Sequence, residues 1–229
     1  TYTSELYELA SRLDQLKRPV IIYIGGAPGT GKSMLATSLA TRLGINKVIS
    51  TDSIREIMRL AFSNDLLPTL FHSTTEAWKG LPMEFQSSEQ LIAGYCLQAN
   101  QVSLGVRAVV ERTVEEGENL IVEGVHLVPF LHEIAKKEMV DAYHIPITLS
   151  IMNEKHHRER FSERGTKNLR KIENFYLKRF NEIRSIHEYT LSQCETDEVE
   201  VFDNEDLDET LNLIIQFSIQ RLFKQVNSE

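Results

Sequence analysis

The sequence predicts an α/β fold in which a five-stranded, mostly parallel sheet is covered by helices on both faces. Five short apolar segments alternate with helical segments along the 229 residues, and strands buried on both faces have this continuous apolar character. The first of them, residues 20–25, leads directly into a glycine-rich loop and then a helix. No linker or internal repeat divides the sequence, so we predict one domain over residues 1–229.

Hydrophobic periodicity, together with Gly, Pro and capping residues at the ends, predicts where each element lies. The predicted helices cover residues 4–17, 32–43, 53–60, 86–116, 129–138, 153–163, 167–192 and 207–225. Runs rich in β-branched residues predict the strands between them. These strands cover residues 20–25, 47–51, 119–123, 143–151 and 198–202.

Two places depart from this alternation. Asp52 directly follows the second predicted strand, where a short polar side chain is typical of a helix N-cap. Residues 63–82 contain Pro68 and Pro82 and have no clean periodicity, so they predict a loop-rich insertion.

The composition is that of an ordinary globular protein, with 41% hydrophobic and 25% charged residues. The net charge of −8, without a Lys/Arg cluster, argues against nucleic acid as a partner but leaves room for a small anionic substrate. No apolar stretch approaches the roughly 20 residues of a membrane span. Cys96 and Cys194 lie far apart and predict packed thiols in a reducing cytoplasm.

The loop after the first strand has the spacing of a phosphate-binding P-loop in the strand–loop–helix context that such a loop requires. It reads Gly26-Ala27-Pro28-Gly29-Thr30-Gly31-Lys32-Ser33, and Met34 follows. Tight glycine turns direct several backbone N–H groups towards phosphate oxygens, and the following helix adds its positive end. We expect Lys32 to contact the β- and γ-phosphates of ATP and the Ser33 hydroxyl to ligate Mg²⁺. ATP and GTP are not distinguished by these residues.

Polar side chains at the other strand ends predict the rest of the site, because ligands of open parallel sheets bind at the carboxyl ends of the strands. Asp52 could deprotonate a substrate hydroxyl, and Arg55, one helical turn on, could bind a substrate anion. Glu123 could support Mg²⁺, and His126 could contact a substrate anion. Asn204 follows the last strand and could approach the adenine. Each residue also has a plainer alternative. Asp52 could be a helix cap, Arg55 a surface arginine, Glu123 an acidic residue at a strand end, His126 a structural histidine and Asn204 a turn residue.

Two further segments are predicted to cover the site. Residues 153–168 resemble an arginine-bearing lid in which Arg160 and Arg164 share a helical face and could stabilise the transferred phosphoryl group. A solvated helix of mixed charge is the alternative. The insertion at 63–82 offers small hydroxyls and His72 for substrate binding, although hydroxyl-rich loops also arise from ordinary capping.

Several segments together resemble the archaeal 2-phosphoglycerate kinases. The most specific are Thr51-Asp-Ser-Ile-Arg-Glu56 and Val122-Glu-Gly-Val-His-Leu-Val-Pro129. The P-loop, Leu66-Leu-Pro-Thr-Leu70, Glu76-Ala-Trp78 and Asp203-Asn204 extend the resemblance over nearly the whole chain from residue 18. It implies a three-layer αβα P-loop fold of the nucleoside-monophosphate-kinase kind, and transfer of the ATP γ-phosphate to 2-phosphoglycerate, giving 2,3-bisphosphoglycerate.

Longer members of that family carry a further N-terminal domain, whereas about one helix precedes the first strand here. A related archaeal enzyme, mevalonate-3-phosphate 5-kinase, also phosphorylates a hydroxyl on a small phosphorylated acid, so it is the alternative substrate assignment. An alternative of another class is a nucleotide-dependent switch with slow hydrolysis. The oligomeric state is open, with a homodimer among the alternatives.

Overall fold

The computed structural model describes residues 13, 16–82, 87–129, 131, 141–162 and 170–227. The helices predicted at 4–17 and 129–138 lie almost wholly outside these residues, and Arg164 lies outside them as well. The strands are β1 (Val20–Gly25), β2 (Lys47–Ser50), β3 (Leu120–Glu123), β4 (Tyr143–Ser150) and β5 (Glu200–Asp203). The helices are α1 (Lys32–Leu43), α2 (Thr51–Ala61), α3 (Ser87–Glu115), α4 (Glu154–Ser162), α5 (Arg170–Lys178), α6 (Phe180–Asp197) and α7 (Leu207–Val226).

The five strands form one sheet in the order β2-β3-β1-β4-β5, and every pairing is parallel. All six residues of β1 are buried, as expected for the central strand of a covered sheet. Ile22 and Ile24 pack with α1 and α7 on one face, whereas Ile21 and Tyr23 pack with α2 and α3 on the other. The predicted three-layer α/β fold is therefore confirmed.

The predicted insertion at 63–82 contains two 3₁₀ helices, Pro68–Phe71 and Thr74–Gly80. They pack on α3, where Gly94 leaves room for the backbone of Trp78: a Cβ at Gly94 would lie 2.2 Å from Trp78 N. The insertion is therefore an ordered cover seated on the body of the fold. No helix in the described part of the chain is long and apolar enough to cross a membrane.

Two local predictions were wrong. Ser50, and not Asp52, caps α2, because its hydroxyl accepts a hydrogen bond from Ser53 N–H at 3.1 Å. Asp52 lies in the first turn instead. The continuous helix predicted over 167–192 is interrupted at Arg179, whose backbone (φ −111°, ψ 21°) is not helical, and α6 then continues beyond the predicted end to Asp197.

Candidate active site

A cleft of about 760 Å³ opens at the carboxyl ends of the strands. The P-loop leaves β1, Asp52 follows β2, Glu123 ends β3 and Asn204 follows β5. The strand order places β3 beside β1, so Glu123 lies next to the P-loop. The sheet therefore brings together residues that are up to 180 positions apart in the sequence.

Three groups of residues line the cleft. The P-loop half consists of Pro28, Gly29, Gly31, Lys32, Ser33, Met34, Glu123 and Asn204. The cover half consists of Asp52, Arg55, Ser73, Thr74 and Thr75. The α4–α5 wall consists of Glu159, Arg160, Phe161, Phe175 and Tyr176.

The P-loop half is tightly constrained by its backbone. Gly26 has φ 138°, and a Cβ there would lie 2.3 Å from the Leu149 carbonyl oxygen of β4, so only glycine fits. Lys32 is 9% exposed, and its Nζ donates to the Ala27 carbonyl at 2.7 Å. The Lys32 ammonium therefore lies within the loop whose amides would surround phosphate oxygens.

Ser33 and Glu123 meet at the floor of this half. The Ser33 hydroxyl donates to Glu123 Oε1 at 2.9 Å, and the Glu123 residue is only 7% exposed. A hydroxyl and a carboxylate oxygen, side by side at the start of α1, are the hard oxygen ligands that Mg²⁺ prefers. The residues present therefore fit the ion that the sequence predicts here.

Asn204 secures the P-loop from the far side. The residue is fully buried, and its Nδ2 donates to the Thr30 carbonyl at 2.8 Å. Arg160 Nη2 donates to the Asn204 carbonyl and, at 3.1 Å, to that of Glu205. These contacts place Asn204 against the P-loop and Arg160 against Asn204, and the partners in these hydrogen bonds are backbone carbonyls. Met34 lies at the rim and is 64% exposed.

In the cover half, Asp52 and Arg55 lie on the same side of α2, as the spacing predicts. The Asp52 side chain is 65% exposed, and its Oδ1 lies 3.8 Å from Arg55 Nε. The Arg55 side chain is 14% exposed, and its Nη1 donates to the His72 carbonyl at 2.6 Å. Arg55 therefore holds the insertion in place, and its Nη2 also donates to Glu56 Oε1 at 2.9 Å, while the residue lines the cleft.

Neither predicted histidine lines the cleft. His126 is fully buried between two partners: its Nδ1 lies 2.9 Å from Thr51 Oγ1 and its Nε2 lies 3.1 Å from Gln98 Oε1. Burial lowers the pKa of His126 to about 4, so the ring is neutral. The backbone of His72 carries the contact with Arg55, and the cleft wall is formed by Ser73 and the two threonines after it. Direct substrate contacts for His72 and His126 therefore find no support in this geometry.

Helix α4 contributes two residues that the sequence analysis missed. His157 Nε2 donates to the Pro28 carbonyl of the P-loop at 2.8 Å, and Arg184 Nη1 lies 3.3 Å from its Nδ1. Phe161 covers Gly29, where a Cβ would lie 2.4 Å from the ring. Both side chains are buried and lie four residues apart, so they share one helical face. An i, i+4 pair of aromatic side chains in an otherwise charged helix is the sequence pattern from which they could have been predicted.

Arg158 is not among the described residues that line the cleft, and its guanidinium lies 5.3 Å from the centroid of the Phe180 ring. Arg160 is therefore the arginine of the predicted lid that the described residues place in the cleft. Residues 163–168 of that predicted lid lie outside the described part of the chain.

The family model described as "AAA domain" matches residues 22–181. Proteins named 2-phosphoglycerate kinase are similar over most of the chain. That of Methanopyrus kandleri is 39% identical over 96% of this chain and 67% of its own length. That of Pyrococcus furiosus is 40% identical over 90% of this chain and 66% of its own length. The chain belongs to the 2-phosphoglycerate kinase family.

Members of this family are P-loop kinases, so the chain is a kinase and uses ATP. It spans about two thirds of the length of these relatives. Among solved structures, shikimate kinase from Acinetobacter baumannii in complex with shikimate matches with a TM-score of 0.52 at 12% identity, covering 92% of this chain and 97% of that one. A gluconokinase from Sinorhizobium meliloti matches with a TM-score of 0.50 at 13% identity, covering 91% and 99%. These two likenesses show the fold alone.

Proposed function

We propose that this kinase transfers the γ-phosphoryl group of ATP to the free hydroxyl of 2-phosphoglycerate, giving 2,3-bisphosphoglycerate and ADP. The observation that carries the proposal is a sequence identity of 35–40%, over 90% or more of the chain, to relatives named 2-phosphoglycerate kinase. In the transfer, the substrate oxygen bonds to the γ-phosphorus and the bond from phosphorus to the β–γ bridging oxygen breaks. The hydroxyl proton passes to a protein carboxylate.

The P-loop half would bind the triphosphate. Backbone N–H groups of residues 26–33, except Pro28, would surround the phosphate oxygens, and the start of α1 would add positive potential. Lys32 would exchange its contact with the Ala27 carbonyl for the β- and γ-phosphates, which offer a charged acceptor. Arg160 and Arg164 would neutralise charge on the transferred group. Asn204, held against Thr30, would close the site near the adenine.

Ser33 and Glu123 would hold Mg²⁺, with the Ser33 hydroxyl as a ligand and Glu123 supporting the water shell. Bound there, the ion would neutralise charge on the phosphate oxygens. The Ser33–Glu123 hydrogen bond holds both oxygens in place beforehand, so little reorganisation is needed on binding.

The cover half would bind the acid. Asp52 is exposed to the cleft and can accept the hydroxyl proton, which makes it the general base of the proposal. Arg55, which lines the cleft, would exchange its contact with Glu56 for a phosphate or carboxylate of the substrate. Ser73 and Thr75 offer hydroxyls beside it.

The test is a transfer assay with ATP and Mg²⁺ against a panel of acceptors. The panel contains 2-phosphoglycerate, mevalonate 3-phosphate, other small phosphorylated acids and RNA 5′ ends, with an arm that lacks acceptor. We expect transfer to 2-phosphoglycerate with the highest kcat/KM. Preference for mevalonate 3-phosphate would move the assignment to that kinase, and acceptor-independent hydrolysis alone would favour the switch. The cytoplasmic location and a homodimer stay predictions.

A further inference from the structure

An ion pair joins the cover to the helices on the other side of the cleft. Glu76, in the 3₁₀ helix Thr74–Gly80, accepts a hydrogen bond on Oε1 from Arg179 Nη2 at 2.6 Å. The two side chains are only 19% and 26% exposed. They lie 103 positions apart in the sequence, so the contact is a tertiary link between two separate segments.

Both ends of this link reach residues that line the cleft. On the cover side, the Ser73 hydroxyl donates to Glu76 Oε2 at 3.2 Å. On the other side, the Arg179 guanidinium lies over the Phe175 ring, 4.0 Å from its centroid. Ser73 and Phe175 both line the cleft. The chain of contacts from Ser73 through Glu76 and Arg179 to Phe175 therefore spans from the cover half to the α4–α5 wall.

Arg179 occupies the break between α5 and α6. Its backbone is not helical, and its N–H donates to the Tyr176 carbonyl at 3.1 Å. Fixing the guanidinium on Glu76 therefore also fixes the C-terminal end of α5, which carries the cleft residues Phe175 and Tyr176. The break in the helix and the ion pair belong to one local arrangement.

Glu76 is charged whenever the protein is folded near neutral pH. Burial alone would raise the pKa of its carboxyl, but hydrogen bonds from Lys79 and Arg179 lower it to about 2. Lys79 Nζ contacts the same oxygen at 2.6 Å, yet it belongs to the same 3₁₀ helix and its side chain is 45% exposed. Of the two cations on Glu76, Arg179 is the one that crosses to the other wall.

We infer that Glu76 and Arg179 are a positioning pair that sets the separation between the cover half and the α4–α5 wall, and with it the fit of the phosphorylated acid. The inference rests on the proposed function for the identity of that acid. The ATP site depends on the pair much less, because Lys32 and Ser33 are held by contacts within the P-loop and with β3. Loss of the pair should therefore raise the KM for the acceptor more than the KM for ATP.

The experiment compares R179M with K79M, its matched control. Both variants remove one cation from Glu76, but only R179M removes the link across the cleft. We expect R179M to raise the KM for 2-phosphoglycerate by about tenfold or more, with the KM for ATP changed less than about twofold. For K79M we expect both values to stay within about twofold, since an exposed pair within one element contributes little.

Two further variants separate positioning from stability. R179K keeps the charge but loses the planar fork and the stacking on Phe175, so we expect a partial rise of the acceptor KM. E76Q keeps the shape of the side chain and replaces the ion pair by a hydrogen bond from the Arg179 guanidinium to an uncharged amide, and it serves if R179M does not fold. Equal acceptor KM values in R179M and K79M would overturn the inference. The inference would also be overturned if, in R179M and in E76Q, the KM for ATP rose by the same factor as the KM for 2-phosphoglycerate.

Hydrogen exchange tests the link without any acceptor. We expect R179M to speed amide exchange at residues 74–80, in the cover, while K79M leaves exchange there close to that of the wild type. This result is readable even if none of the acids is phosphorylated, an outcome that would refute the proposed function alone. Unchanged exchange in R179M would refute the link itself.

Discussion

In the P-loop half of the cleft, Lys32 and Glu123 are buried and held by near neighbours, whereas in the cover half Asp52 is exposed and Arg55 is held by a distant segment. Lys32 and Glu123 are 9% and 7% exposed, and each has a hydrogen-bonded partner within the half. The Asp52 side chain is 65% exposed, and Arg55 reaches across to the His72 carbonyl. The phosphate site is therefore ready before ligand binds, while the acceptor site is assembled by tertiary contacts.

This difference has a physical basis in the two kinds of ligand. A triphosphate carries several charges, and only fixed backbone amides, a lysine and a metal ion can hold it without reorganisation. A small acid is distinguished from its analogues by the shape of the pocket, which loops on a rigid scaffold can adjust. We therefore expect substitutions in the P-loop half to abolish chemistry and substitutions in the cover half to change rate and acceptor choice.

The largest expected effect is that of Lys32→Ala. Removing the ammonium takes away a preorganised charge at the β- and γ-phosphates, so we expect kcat to fall by about 10³-fold. The measurement is steady-state transfer to 2-phosphoglycerate, with thermal unfolding to show that the variant is folded. Activity close to that of the wild type would break the assignment of this half to the triphosphate.

Asp52→Asn should have the next largest effect. The amide keeps the size of the side chain but cannot accept a proton, so we expect kcat to fall by about 10²-fold while ATP affinity changes little. Calorimetric titration with a non-hydrolysable ATP analogue checks the affinity, and transfer kinetics check kcat. If kcat is unchanged, Asp52 is not the base, and the exposed carboxylate serves only the helix dipole of α2.

The two halves also differ in how far the sequence predicts them. Most of the P-loop half comes from one continuous stretch, residues 26–33, so the local sequence pattern was sufficient to predict it. Glu123 was predicted from the general rule that ligands bind at the carboxyl ends of parallel strands. The cover half and the α4–α5 wall bring together residues 52–55, 73–75 and 175–176, and nothing local in the sequence specifies such contacts. The sequence therefore predicted Asp52 with Arg55, and small hydroxyls in the insertion as a whole, but did not single out Ser73 and Thr75.

Tertiary contacts account for the break at Arg179 and for the burial of His126. The pattern of Leu177 and Phe180 continues a helical face, and no Gly or Pro interrupts it, so the break at Arg179 was not predictable. It accompanies the contacts of Arg179 with Glu76 and Phe175, both made outside its own helix. His126 was considered for the substrate because a lone histidine shortly after a strand end does not reveal its partners, which are Thr51 and Gln98.

A pair of glycines tests the contact between the two halves. Gly124 follows Glu123 with φ 154°, and a Cβ there would lie 1.8 Å from Thr51 Oγ1, next to Asp52. Gly117 also has a positive φ, 69°, but a Cβ there meets nothing within 4 Å. We expect Gly124→Ala to lower the free energy of unfolding by about 3 kcal/mol or more, through strain and overpacking.

For Gly117→Ala, the matched control, we expect a loss of about 1 kcal/mol from the left-handed backbone alone. Urea unfolding of both variants measures the difference. If both variants lose the same free energy of unfolding, the structure accommodates a methyl group between Gly124 and Thr51 without strain. The two halves are then not tightly packed against each other at that point.

The smallest effect concerns two of the three buried histidines in the described part of the chain, His126 and His157, since each supports one half. His157 contacts the P-loop through Pro28, and His126 contacts Gln98, whose Nε2 donates to the Thr69 carbonyl of the cover. Burial is the first cause that lowers both pKa values from 6.5 to about 4, and nearby cations, among them Lys32, add to it.

Because the folded pKa values are depressed, the unfolded chain binds more protons as the pH falls from 6.5 towards 4, and stability falls with it. Between pH 7 and pH 5 we expect each histidine to cost about 2 kcal/mol of the free energy of unfolding, at about 1.4 kcal/mol per pH unit below 6.5. Urea unfolding of the wild type, His126→Gln and His157→Gln measures these slopes. Each substitution should remove its own share of the pH dependence. If the free energy of unfolding of a variant depends on pH as steeply as that of the wild type, the histidine replaced in that variant is protonated in the folded protein at pH 5. The neighbouring half of the cleft would then accommodate a charged imidazole.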